Sequence, residues 1–174
     1  MKYFKKLVGE HVYISPMNIE DADKYAEWLN NPEINKFLST NSSLISIYKE
    51  KEYLEEIANK DYHYSIVKLD NDELIGSIAI DNINYKDGNA QLGIFIGEEN
   101  NLGKGYGTEA IKLLTNFAFK ELRLHMIYLT VVSNNPRAYK SYEKCGFKEC
   151  GRLREGRYRN GEYIDAIYMQ LINE

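Results

Sequence analysis

Two cysteines, three prolines and three histidines among 174 residues leave several chemistries without their materials. Cys145 and Cys150 are too few and too close together for a disulfide framework or a zinc site of usual spacing, so no metal is expected. His11, His63 and His125 are scattered and read as structural side chains rather than a metal triad. None of them stands near Cys145 in sequence to act as its base, which argues against a cysteine nucleophile. No apolar run is long enough to span a bilayer, and residues 1–7 lack the apolar region of a signal sequence. The protein is therefore expected in the cytoplasm, with no membrane partner. Lys and Arg number 22 against 26 Asp and Glu, a net charge of −4 with no basic stripe, so no nucleic-acid partner is expected either. Composition does not shift along the chain, and repeats are absent; residues 1–174 read as a single domain.

What the chain does contain is Asn-Leu-Gly-Lys-Gly-Tyr-Gly-Thr-Glu-Ala at 101–110, with Gly103, Gly105 and Gly107 on alternate positions before a helical pattern. Glycine lets a backbone turn tightly and approach a ligand without a Cβ between them. The first N–H groups of the helix, and its dipole, attract negative charge. Such a cradle predicts a phosphate-bearing ligand. A nucleoside-triphosphate loop needs Ser or Thr after Gly-Lys to hold magnesium, and here Gly103-Lys104 is followed by Gly105. A dinucleotide loop needs Gly-x-Gly-x-x-Gly in the first βαβ unit, and these glycines are spaced two apart beyond the middle of the chain. A pyrophosphate-bearing cofactor other than ATP or NAD fits the pattern.

A second motif follows at 135–147, Asn-Pro-Arg-Ala-Tyr-Lys-Ser-Tyr-Glu-Lys-Cys-Gly-Phe. It predicts one short helix, with Pro136 in the first turn, where a missing N–H costs nothing, and Gly146 at the C-terminal stop. Asn135, Ala138 and Tyr142 then fall on or near one face.

With both motifs in this order, the chain resembles the GCN5-related N-acetyltransferase (GNAT) superfamily. Within it, the glycine run and the terminal hairpin look most like the ribosomal-protein alanine acetyltransferases and their spermidine-acetylating relatives. The resemblance implies the acyl-CoA N-acyltransferase fold and acetyl-CoA as cosubstrate. It further implies that Leu102, Gly103, Lys104, Gly105, Tyr106, Gly107 and Thr108 hold the pyrophosphate, largely through backbone N–H groups. Asn135, with Ala138, would contact the pantetheine arm, and Tyr142 would protonate the departing thiolate. Ile94, Phe95 and Ile96, between Gly93 and Gly97, would form a bulge that aims backbone N–H groups at the acetyl oxygen and pantetheine. Two positions depart from the family pattern. Leu102 stands where Gln or Arg is usual, three residues before Gly105, and Gln91 stands in Ala90-Gln91-Leu92-Gly93 where the related branch commonly has Glu. A neutral amide cannot act as a general base. Glu98, Glu99 or Asp81 acting through water, or an amine arriving already neutral, would have to serve instead.

The remaining pattern agrees with a mixed α/β sheet, mostly antiparallel and flanked by helices. A strand is expected at 12–14 and a helix from Ile19 to Leu29, with Asn18 as its cap. An irregular connection follows at 33–45, then a helix at about 46–60. Strands are expected at 62–69, 73–83 and 89–96, a helix at 108–122 with Ile111, Leu114, Ala118 and Leu122 buried, and a strand at 126–132. Two final strands flank Asn160-Gly161, a type I′ hairpin signal.

The function expected is acetyl transfer from acetyl-CoA directly to a primary amine, whether a polyamine, an amino sugar or a peptide N-terminus, by a monomer or homodimer. Transfer of another acyl group, or coenzyme A binding without turnover, is the alternative. Glu20, Asp21 and Asp23, with Glu50, Glu52, Glu55 and Glu56, either attract an amine or form solvated helix faces. Arg152, Arg154, Arg157 and Arg159 on the last hairpin either hold a phosphate or acidic group or line a solvated strand.

Overall fold

Strand alternation assigns each residue of the sheet to one of two layers. The computed structural model describes residues 2–40 and 42–174. Its strands are β1 (Leu7–Val8), β2 (Val12–Pro16), β3 (His63–Lys68), β4 (Leu74–Asn84), β5 (Asn89–Ile96), β6 (Met126–Val132), β7 (Lys148–Arg159) and β8 (Glu162–Ile172). Its helices are α1 (Ala22–Asn30), α2 (Pro32–Asn35), α3 (Ile47–Ala58), α4 (Tyr106–Lys120) and α5 (Pro136–Lys144). The strands form one sheet in the order β1-β2-β3-β4-β5-β6-β8-β7. Every pairing is antiparallel except β5 with β6, which α4 connects.

Successive residues of a strand point to opposite faces. Val12 and Ile14 join the core that contains Ile111 and Leu114 of α4, whereas Tyr13 joins the one that contains Tyr25 and Trp28 of α1 and Leu54 of α3. Ala138 and Tyr142 of α5 pack against the first core. The sheet therefore lies between an α1/α3 layer and an α4/α5 layer. Of the stripe expected on α4, Ile111, Leu114 and Ala118 are buried and Leu122, just past the helix, is partly buried. No helix among the described residues is long and apolar enough to cross a membrane.

Caps set most boundaries. The Asn18 side chain accepts from the Glu20 N–H and starts a short 3-10 turn that leads into α1, and Ser46 accepts from the Lys49 N–H at the start of α3. Asn160 and Gly161, at φ 50° and 90°, join β7 to β8 as the type I′ signal requires. Three differences from expectation have a clear local cause or consequence. Pro32, with Asn31 accepting from the Glu33 N–H, winds a helical turn where an irregular connection was expected. The first strand runs on to Pro16 and gains β1 as a neighbour. And α4 begins at Tyr106 rather than Thr108, because Gly105 itself is the left-handed cap. Asn41, within that expected connection, lies outside the described residues.

Gly97 has a packing cause. A Cβ there would lie 2.0–2.3 Å from ring atoms of Trp28, which is itself 3% exposed between the sheet and α1. Overfilling a packed core costs about 1–3 kcal/mol. Gly97→Ala is accordingly expected to lower the melting temperature by several degrees, as a thermal denaturation scan would measure.

Candidate active site

β5 is held tightly on one edge and released on the other. Its ladder with β4 runs in unbroken register from Asp81↔Gln91 to Gly76↔Ile96. The bulge expected between Gly93 and Gly97 is therefore not formed against β4; the irregularity falls between Asp81 and Asn84. The opening arises instead because the β5–β6 ladder comprises Asn89↔Met126, Ala90↔Ile127 and Gln91↔Tyr128 and then stops. Beyond it β5 follows β4 while β6 follows β8 to Val132. The Gly97 N–H donates to Ile75 O at 2.8 Å. Because bonded and non-bonded pairs alternate along an antiparallel ladder, Gly93 and Phe95 also turn their backbone groups to β4, and Ile94 and Ile96 turn theirs into the slot that opens toward β6. The Phe95 ring lies in the other layer, 6.1 Å from Tyr25 and 6.0 Å from Trp28. Ile94 and Ile96 thus reach the slot through their backbone, while Phe95 serves the α1 side.

The glycine cradle sits at one end of this slot. Leu102, half-buried, closes the 3-10 turn Glu99–Asn101 and delivers the chain to it. Gly103 and Gly105 adopt φ of 74° and 90°, and a Cβ at either would meet nothing within 4 Å, so the loop presents bare backbone outward. Lys104 between them is exposed. No side chain caps α4, and its first internal bond runs from the Glu109 N–H to Gly105 O at 2.9 Å. The N–H groups of Tyr106, Gly107 and Thr108 therefore point out of the helix end. A Cβ at Gly107 would rest in ordinary contact with Ile96 and Ile94, at 3.7 and 3.8 Å, so the first turn of α4 is seated on the slot-facing strand.

Glu109 locks this turn in place. Its carboxylate accepts from the His11 and Val12 N–H groups at 2.9 and 3.2 Å and lies 3.1 Å from the His11 ring, and a Cβ at Gly9 would strike it. Burial pushes its pKa up, but these hydrogen bonds outweigh burial and hold the carboxyl below the usual glutamate range. A pKa lower in the folded than in the unfolded state stabilises the fold above the ordinary glutamate value, and the contribution is lost as pH falls through the folded value. Melting temperatures measured across that acid window are expected to fall more steeply for the wild type than for Glu109→Gln, which lacks the contribution at every pH.

α5 closes the other side. Asn135 caps it, its side chain accepting from the Ala138 N–H at 3.2 Å, so the oxygen is committed and the amide NH₂ is the group left to meet a ligand. Tyr142 packs edge-on against Phe147, with 6.1 Å between ring centroids, and burial followed by the neighbouring Cys145 pushes its phenol up to about 12. Cys145 ties this turn to α4, its Sγ donating to Thr108 O at 3.5 Å, and burial pushes its thiol up to about 11. A thiol held protonated is a poor nucleophile.

The neighbouring charged groups separate by role. Gln91 accepts from Asn82 Nδ2 at 2.9 Å. Glu98 is paired with Lys24 at 3.1 Å, and Glu99 is exposed. Asp21 is buried and bound by Tyr3 and Lys2, a structural pin rather than part of a solvated face. Glu50 is also buried, 4% exposed, with burial pushing its pKa up. The alternation of hairpin arginines breaks at a register shift between Leu153 and Arg157, and Arg152 is already paired with Glu149 and Asp165, each at 3.3 Å.

Residues 11–148 match the acetyltransferase (GNAT) domain. The chain belongs to the GNAT acetyltransferases. It is 35% identical over 120 residues, 63% of this chain and 69% of the relative, to the spermidine N(1)-acetyltransferase of Vibrio cholerae. The crystal structure of the spermidine N-acetyltransferase from Vibrio cholerae in complex with CoA and spermine superposes with a TM-score of 0.81 at 28% identity, covering 92% of this chain and 95% of that one. A GNAT-family acetyltransferase from Bacillus anthracis shares the fold, with a TM-score of 0.84 at 18% identity over 95% of this chain and 97% of that one. The expected fold class, a mixed and mostly antiparallel sheet flanked by helices, is the one these GNAT structures share.

Proposed function

We propose that this GNAT enzyme transfers an acetyl group from acetyl-CoA directly to a small-molecule primary amine. The observation that carries the reading is the slot beside β5, with the uncapped start of α4 at one end and Tyr142 of α5 nearby. A pyrophosphate matches the bare backbone at Gly103 and Gly105 and the outward N–H groups of Tyr106, Gly107 and Thr108. An extended amide-bearing arm matches the unpartnered backbone edge of Ile94 and Ile96, with the Asn135 amide on the α5 side. When bound there, acetyl-CoA supplies an activated acetyl group as a thioester.

Tyr142 is the proton donor of this reading. With its phenol at about 12 it stays protonated throughout the physiological range. Giving that proton to a thiolate of ordinary basicity, near 8.5, would cost about 5 kcal/mol. Burial raises the Cys145 thiol beside Tyr142, and a departing thiol raised in the same way lowers that cost. The raised Cys145 thiol supports direct transfer over an acetyl-cysteine intermediate.

The acceptor's cationic character rests on the relatives named for spermidine acetylation. Steady-state release of free thiol across polyamines, amino sugars and N-terminal peptides tests the reading. Turnover with small amines in preference to peptides is expected; binding of acetyl-CoA without turnover on any amine would overturn it.

A further inference from the structure

The acid that the family resemblance leads one to expect at position 91 has a counterpart one strand away. Asp81 of β4 lies directly opposite Gln91, so the two side chains share a face of the sheet. Its Oδ1 lies 2.9 Å from Nε2 of His63, which is only 12% exposed and sits on β3 opposite Ala79. The other oxygen, Oδ2, is left to look along β5: among the described residues it is the one atom within 4 Å of a Cβ placed at Gly93, at 3.9 Å. Gly93 precedes Ile94, whose backbone faces the slot. The carboxylate and the slot thus flank the same dipeptide, one from the sheet face and the other from the strand edge.

We infer that Asp81 is the group that takes protons from the acceptor amine, and that His63 is a positioning residue that holds its carboxylate toward Gly93. The assignment rests on the acetyl-transfer reading above. An acceptor entering over the α1/α3 face arrives as an ammonium. Asp81 Oδ2 takes one proton and passes it to water, for which its 44% exposure leaves room. The nitrogen lone pair then forms the C–N bond, and the C–S bond breaks with its electron pair on sulfur, which takes the Tyr142 proton. Asp81 removes the second nitrogen proton and passes it to water, and water reprotonates Tyr142. The balance is one ammonium and one thioester to one amide, one thiol and one released proton.

The other groups bearing on Asp81 come from α3 and just beyond it. Tyr53 is pushed up by burial first and then by the charge of Asp81, and Lys60 is bound chiefly to Glu56 at 2.6 Å. The rival acids are less suited: Glu98 is neutralised by Lys24, and Glu99 projects into solvent.

Asp81→Asn keeps the shape and removes the base. At neutral pH it is expected to lower kcat by about 100-fold while calorimetry finds acetyl-CoA affinity unchanged. That deficit should shrink along a series of primary amines of falling basicity, because a weakly basic amine arrives already neutral. His63→Gln, which retains a side-chain N–H for Asp81, should keep more activity than His63→Ala. Nitrogen NMR of the His63 ring gives a readout independent of turnover: a proton on Nε2 in the wild type, and both tautomers in Asp81→Ala. A normal kcat in Asp81→Asn, or a loss equal across the amine series, would overturn the assignment while leaving acetyl transfer intact. An inactive wild type in the same assay would remove acetyl transfer itself, and this assignment with it.

Discussion

Gly105→Val is expected to raise the dissociation constant for acetyl-CoA by more than about 100-fold, beyond ready measurement, with the fold retained. The reasoning separates ligand from scaffold. Gly105 stands at φ 90°, a region a β-branched residue scarcely enters, so valine forces the loop to leave its cradle shape. A Cβ there would meet no atom of the described residues within 4 Å, so the loss comes from the surface the loop presents and not from a collision in the core. α4 keeps Ala110, Ile111, Leu114 and Ala118 buried in either case. Isothermal calorimetry with acetyl-CoA, beside a thermal scan, checks both halves. An unchanged dissociation constant would remove the cradle from the site. Gly97→Ala makes the opposite comparison, since its Cβ meets the Trp28 ring inside the core.

Tyr142→Phe is expected to lower kcat by about 100-fold, equivalent to about 2.7 kcal/mol of barrier, with acetyl-CoA affinity nearly unchanged. Phenylalanine preserves the ring that packs on Phe147, and the Tyr142 hydroxyl donates to no group among the described residues, so the substitution removes a proton donor and little else. Single-turnover kinetics separate the two effects: chemistry slows while binding does not. Acetyl thioesters of less basic thiols, which leave without a proton, should narrow the difference; an unchanged single-turnover rate would exclude Tyr142 from the chemistry.

The site divides into parts that are local in sequence and parts that are not. The cradle is legible because every residue it uses lies in 102–108, and glycine's conformational freedom marks it without reference to any partner. The Asn135 helix is legible for the same reason: its cap, its first-turn proline and its terminal glycine are neighbours along the chain. The slot is not legible. It exists because β5 and β6 pair over three residues and then follow different neighbours, a matter of long-range register that no single strand encodes. The resemblance singled out Ile94 and Ile96 through a bulge that the ladder with β4 does not form. Gly97 likewise reads as a boundary of the expected bulge until Trp28, far away on α1, is laid over it. His63 reads as a scattered structural histidine, and only the β3–β4 register brings it to Asp81.

The hairpin arginines and the clustered acids show the reverse case, in which a conspicuous pattern dissolves. Alternation along β7 would place Arg152, Arg154, Arg157 and Arg159 by turns on fixed faces, but the shift between Leu153 and Arg157 breaks the count, and Arg152 finds acids within its own sheet. Asp21 is consumed by Tyr3 and Lys2. Charge runs alone could not distinguish these from binding groups, since the difference lies in which partners the fold supplies.

The most direct test is amine-dependent release of free coenzyme A thiol from acetyl-CoA, followed with the purified protein and confirmed by the mass of the acetylated amine. Release is expected to require both acetyl-CoA and a small primary amine and to yield one acetylated amine for each thiol. Release at the same rate with and without amine, or none with any amine despite tight acetyl-CoA binding, would contradict the proposed transfer.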